Sequence, residues 1–241
     1  MNETTQNPTA APSALLTGAA LAGGALLLSG AKTAQAVSPA IPFSDQIFGT
    51  GDLKVLNYAL ALEALETDLY VQALQRLTTG GTNALGKTIV GLGLPSTDPA
   101  VQYLRDFGEI EKAHRDFFIG ALGASAITAP GKPLANAKFD FGFDTSQATL
   151  RYVLNLVQTA EKTGVGAYIG AIPFFSTTTY LQTAAAIQGT EARHTAVITA
   201  IINQRFNERQ PVAPLHTNNN GIDRPIAPQT VLNAVSPFIV L

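Results

Sequence analysis

GTEARHTAV, residues 189–197, sets Glu191 and His194 three positions apart in an alanine- and threonine-rich run. GEIEKAHRDF, residues 108–117, repeats the spacing with Glu111 and His114. The chain has three histidines, and two of them stand in this arrangement. On a helix, positions i and i+3 lie about 60° apart around the axis and about 4.5 Å apart along it, so a carboxylate and an imidazole at that spacing reach one point. One such pair is an ordinary surface feature. Two pairs, each inside an apolar periodic segment, predict two helices that face a common centre.

Working outward from these pairs, four stretches carry helical periodicity. In residues 52–77 Leu and Ala recur at three- and four-residue steps, with Asp52 at the start and Gly80-Gly81 beyond the end. Ser96, Thr97 and Asp98 before Pro99 form a helix-start signal, and the second helix runs from 99 to about 121. Residues 123–146 form a long non-helical connection with Pro130, Pro133 and the aromatic alternation KFDFGFD. Asp144 and Ser146 then open a third helix over 147–171, stopped by Pro173, and Ser176 opens a fourth that ends near 206. The tail, 207–241, has five prolines and NNNG at 218–221, and reads as an extended strap with one helical turn around Thr230 to Val235. The expected architecture is all-α: a four-helix bundle with a long crossover between the second and third helices. A helix of about 25 residues spans about 38 Å, and about two dozen extended residues cover that height.

The remaining glutamates complete the pattern. Apart from Glu3 and Glu208, every glutamate falls mid-helix: Glu63 and Glu66 in the first, Glu109 and Glu111 in the second, Glu161 in the third, Glu191 in the fourth. Two Glu-x-x-His pairs plus one glutamate from each other helix make four carboxylates and two imidazoles, the set that holds two metals in dimetal-carboxylate bundles. Four carboxylates neutralise two divalent cations; buried without cations they repel one another. Either Glu63 or Glu66 can serve on the first helix. Seven residues after Glu63 comes Tyr70, and seven after Glu161 comes Tyr168, each on the same face as its glutamate. The first and third helices thus share Glu-x6-Tyr and the second and fourth share Glu-x-x-His, two hairpins of one design related by a pseudo-twofold axis.

With these motifs in hand, the chain resembles the ferritin-like superfamily. More narrowly, LEALETDLY, EKAH, the Glu161 helix, EARH and the closing VLNAVSPF resemble exported ferritin-like proteins grouped with plant desiccation-related proteins. The resemblance covers residues 45–206. It implies a metal site of Glu63, Glu111, His114, Glu161, Glu191 and His194, with Glu63 favoured because it precedes the tyrosine by seven. Glu66 is then a supporting carboxylate, or a bridging one if the helix is rotated. Tyr70 and Tyr168 are expected either to fill core or to act beside the metals, as hydrogen-bond donors or carriers of an oxidising equivalent. The oxygen and nitrogen donors suit iron or manganese and admit zinc. If redox metals bind, the expected activities are ferroxidase or peroxide-detoxifying, catalase-like chemistry on dioxygen or peroxide; no specific reaction follows from the desiccation-related group. Two other readings stand beside them: a stress-protective protein whose metals only hold the bundle, and a dimetal oxidase of an organic molecule.

Composition narrows the partners. Charged residues are 13% of the 241 and the net charge is −2, which gives no basic field for nucleic acid. Cysteine is absent, so thiolate sites and disulfides are excluded. Acidic residues outside the site are sparse, which disfavours cage-type iron storage, while the low charge and Ala-rich helices favour a homodimer or larger association. Residues 14–31 are apolar and uncharged and lead to Ala34-Gln35-Ala36, so residues 1–36 read as an export signal cleaved after Ala36, giving a periplasmic, cell-envelope or extracellular protein. The segment before it lacks the usual Lys or Arg, and an apolar tail or membrane anchor is the competing reading. No later segment is long and apolar enough to span a bilayer. Gly164, Gly166 and Gly170 are costly in a helix at about 1 kcal/mol each; they either leave room for oxygen or peroxide beside Glu161 or permit close helix approach. Arg115 and Arg193 flank the histidines and are expected mainly at the surface, and His216 has no partner at ligand spacing.

Overall fold

Leucine and alanine at three- and four-residue steps give the 52–77 segment apolar character nearly all round, and such a helix is stable only when enclosed. The computed structural model, which describes residues 40–212 and 221–241, encloses it. A short helix α1 (Asp45–Phe48) leads into α2 (Asp52–Leu77). Then come α3 (Pro99–Leu122), α4 (Leu150–Ala171), α5 (Thr178–Phe206) and the C-terminal α6 (Pro228–Val235). The four long helices form an all-α bundle in which α2 pairs along α3, α4 pairs along α5, and α2 meets α4 across the middle. Among the described residues no helix is long and apolar enough to cross a membrane. The leader segment 1–36 and His216 lie outside the described residues.

The helix starts follow local chemistry. Asp98 caps α3 by accepting from the Ala100 N–H at 2.9 Å, with Pro99 in the first turn. The start of α4 corrects the expectation from Asp144 and Ser146: the cap is Thr149, whose hydroxyl accepts from the Tyr152 N–H at 3.3 Å. Residues 142–145 are instead held in a turn, where the Thr145 N–H and hydroxyl both donate to the Gly142 carbonyl. Ser176 likewise does not open α5; its N–H and hydroxyl donate to Asp52 at 2.7 and 2.9 Å, tying the start of α2 to the α4–α5 connection. Asn207 ends α5 in the left-handed conformation at φ 54°.

Two features depart from the sequence expectation. The loop after α2 contains a hairpin, β1 (Gly80–Thr82) antiparallel to β2 (Thr88–Val90), with Ile89 driven into the core. Arg76 anchors it, donating from a buried guanidinium to the carbonyls of Val90 and, at 2.6 Å, Ala148. The tail is more ordered than a strap with one helical turn. Val231, Leu232 and Val235 of α6 bury one face, and β3 (Lys138–Phe139) of the crossover pairs with β4 (Ile239–Val240). The KFDFGFD alternation explains this junction, because Phe139, Phe141 and Phe143 all point inward. The 166–170 stretch of α4 is where the returning chain lies closest. The Ile226 N–H donates to the Gly166 carbonyl at 2.9 Å, and a Cβ at Gly170 would stand 1.9 Å from the Ile226 oxygen. Gly170 thus admits the Ile226 backbone and Gly166 the Ile226 side chain.

Candidate metal centre

Each long helix turns one acidic position toward the bundle axis. Glu63 of α2, Glu111 of α3, Glu161 of α4 and Glu191 of α5 are all 0% exposed, and His194 is 2% exposed. His114 is less enclosed, its side chain 14% exposed. The three-residue spacing works as geometry requires: His114 Nδ1 lies 3.0 Å from Glu111 Oε2 on its own helix, and 3.4 and 3.6 Å from Glu63 and Glu191 oxygens on two others. His194 Nδ1 lies 2.7 Å from Glu111 Oε1 and 3.4 Å from Glu161 Oε2. Phe107 stacks on the His194 ring at 4.0 Å and 19°, fixing its plane.

The six side chains fall into two overlapping quartets. Glu63, Glu111, His114 and Glu191 offer ligand atoms all within 4.8 Å of one another, and so do Glu111, Glu161, Glu191 and His194. Glu111 and Glu191 belong to both. The cluster is compatible with metal binding. The test of fit is what these atoms do otherwise. Glu63 Oε2, Glu111 Oε1, Glu161 Oε2, both Glu191 oxygens and both His194 nitrogens are buried and make no hydrogen bond. Even the 2.7 Å approach of His194 to Glu111 lacks hydrogen-bond alignment. Buried polar atoms are almost always paired, and seven unpaired atoms on the members of the two quartets are compatible with metal binding.

Electrostatics agree. Burial pushes the Glu63 carboxyl up to about 7, and burial with mutual repulsion raises Glu66, Glu161 and Glu191 as well. Burial acts upward on Glu111 too, but His114 and His194 outweigh it and bring that carboxyl down to about 2. For both imidazoles burial acts downward, yet the surrounding carboxylates raise His114 to about 10 and His194 to about 9. With no cation present, protons must occupy this cluster.

The tyrosines face the centre, but each serves the glutamate of the other hairpin. Tyr70 on α2 donates to Glu161 Oε1 on α4, and Tyr168 on α4 donates to Glu63 Oε1 on α2. Glu66 joins neither quartet; it is buried beside a cavity between α2 and α4. Arg115 bonds Asp116 and Arg193 bonds Thr190 at the surface, away from the cluster. Gly164 is the residue whose role spacing alone left open: a Cβ there would stand 2.8 Å from Glu191 Oε2, so its lack of a side chain lets that carboxylate lie against α4.

Comparison with known proteins accords with this geometry. The family model described as a ferritin-like domain matches residues 51–204, the span from α2 to the end of α5. No curated protein and no solved structure matches the chain.

Proposed function

Because the chain belongs to the ferritin-like domain family, we propose that its buried cluster binds two divalent ions, iron or manganese, and performs redox chemistry on dioxygen or peroxide, as a ferroxidase or peroxide-detoxifying protein. The observation that carries this reading is the set of orphaned ligand atoms in two quartets sharing Glu111 and Glu191. Glu63 with His114, and Glu161 with His194, would hold one ion each, and Glu111 and Glu191 are within reach of both. A bound pair supplies two electrons, enough to reduce dioxygen with two protons to hydrogen peroxide, or peroxide with two protons to two waters.

The chain's own residues prepare that chemistry. Tyr70 and Tyr168 hold Glu161 and Glu63 through their hydroxyls, fixing the two carboxylates particular to each site. Phe107 orients His194 and excludes water from that side. Hard oxygen and imidazole donors favour iron or manganese over softer metals. Residues 14–31 and Ala34-Gln35-Ala36 support export after cleavage at Ala36. Association of copies is supported by Tyr103, Ile110 and Phe117, exposed apolar residues at seven-residue steps along α3.

A second reading, a stress-protective protein of the desiccation-related kind, is favoured by the depth of the cluster: four carboxylates at 0% exposure repel one another, and bound cations would neutralise them. Metal analysis of the purified protein followed by oxygen- and peroxide-consumption assays separates the two. Turnover of either oxidant supports redox function. A metal-loaded protein inert to both supports the protective role, and one that binds no metal overturns both.

A further inference from the structure

Between α2 and α4 lies a cavity of about 30 Å³. Leucines of both helices form two walls, and Phe141 of the crossover with Val235 and Phe238 of the C-terminal segment form another. Its polar lining is limited to Glu66 and Thr163, and the Thr163 hydroxyl is already donated to the Thr159 carbonyl at 2.8 Å. Gly164 also borders the cavity, and it is the residue whose missing Cβ would stand 2.8 Å from Glu191 Oε2. Glu191 is not part of the lining, but Gly164 borders the cavity and packs against this carboxylate common to both quartets.

A well-packed core holds few voids of this size, and an apolar void takes up small apolar molecules rather than water. Hydrogen peroxide would give up its full hydration for the Glu66 carboxyl and the Thr163 hydroxyl oxygen in an otherwise apolar lining. Dioxygen needs no such partners. Resting on the redox reading of the centre, we propose that this cavity is a dioxygen-holding pocket, separated from Glu191 by Gly164, and that dioxygen rather than peroxide is the oxidant it serves. The C-terminal segment has a part in this: Val235 and Phe238 close a pocket that the four long helices leave open.

Xenon is the probe, since it occupies apolar cavities without any metal chemistry. In crystals of the full chain under xenon pressure, a xenon atom is expected between Leu65, Ala160 and Phe238. Ala160→Leu should abolish that site, leave metal content unchanged, and raise KM for dioxygen by about tenfold, a modest loss of binding free energy. Xenon excluded from the unsubstituted protein overturns the proposal whether or not Ala160→Leu folds. So does an unchanged KM in a variant that no longer takes xenon, or fast turnover of peroxide with none of dioxygen. Failure of the underlying reading is visible separately, as absence of iron and manganese before any gas is admitted.

Discussion

Tyr70 of α2 donates its hydroxyl to Glu161 of α4, and Tyr168 of α4 returns the contact to Glu63 of α2. Two buried phenols thus cross-link the hairpins through buried carboxylates of the cluster. Outer hydrogen bonds of this kind typically contribute about ten- to a hundredfold in metal affinity. Tyr70→Phe and Tyr168→Phe are expected to fold and to weaken iron or manganese binding by about that factor, read by competition with a chelator. Equal effects from the two variants follow from the pseudo-twofold relation; an unchanged affinity in both would remove the tyrosines from the site.

The shared and unshared carboxylates make different predictions. Glu191 stands in both quartets and Glu63 in one. Glu191→Gln keeps shape but loses charge at both positions, so it should bring metal content close to zero. Glu63→Gln should leave about one ion per chain. Metal analysis with protein quantitation distinguishes these outcomes, and equal losses in the two variants would contradict the shared arrangement.

How much of this was legible in the chain itself varies with the physics involved. The spacing in EKAH and EARH fixes a helical face, so Glu111 with His114 and Glu191 with His194 are legible directly, whereas the choice of Glu63 over Glu66 rests on the family resemblance. What spacing cannot fix is the partner across the bundle. Tyr70 was placed on the face of Glu63, and that holds, but its hydroxyl reaches Glu161 because a tyrosine extends across the axis instead of along its own helix. Helix starts were read from Asp144 and Ser146, while the cap that won was Thr149, chosen by where the crossover's buried phenylalanines leave the chain. The β1–β2 hairpin was missed, although Thr88-Ile89-Val90 is a β-branched run after a glycine turn. In the tail, the prolines suggest a strap with one helical turn around Thr230 to Val235; burial of Val231, Leu232 and Val235 extends that turn to the eight residues of α6 from Pro228.

The pH dependence of the metal-free protein follows from the shifted groups. Glu63 is raised to about 7, His194 to about 9 and His114 to about 10. Each raised group contributes stability that is present in full below its unfolded value and is lost as pH rises through its folded value. Glu111 works oppositely, its contribution present above the ordinary carboxylate range and lost as pH falls through about 2. Between about pH 5 and 9 the chelator-treated protein should therefore melt at progressively lower temperature as pH rises. The metal-loaded protein should hold or gain, because cations displace those protons. Thermal melts across that range test the contrast, and parallel curves would count against it.

Two glycines on one helix separate site from scaffold. A Cβ at Gly164 would first meet the Glu191 side chain, its Oε2 at 2.8 Å, whereas a Cβ at Gly170 would meet Ile226 backbone at 1.9 Å. Gly164→Ala should lower metal content with little change in the melting temperature of the metal-free protein. Gly170→Ala should destabilise the fold by about 1–3 kcal/mol while the folded fraction keeps its metal. Denaturant melts with metal analysis on the same samples check both, and reversed behaviour would contradict the assignment of the two positions.

The central claim is tested most directly by anomalous X-ray diffraction from crystals of metal-loaded protein, collected on both sides of the iron and manganese absorption edges. Two anomalous peaks are predicted, roughly 3.5–4 Å apart, one among Glu63, Glu111, His114 and Glu191 and the other among Glu111, Glu161, Glu191 and His194. A loaded crystal with no peak inside the bundle, or with peaks only at surface carboxylates, would contradict it.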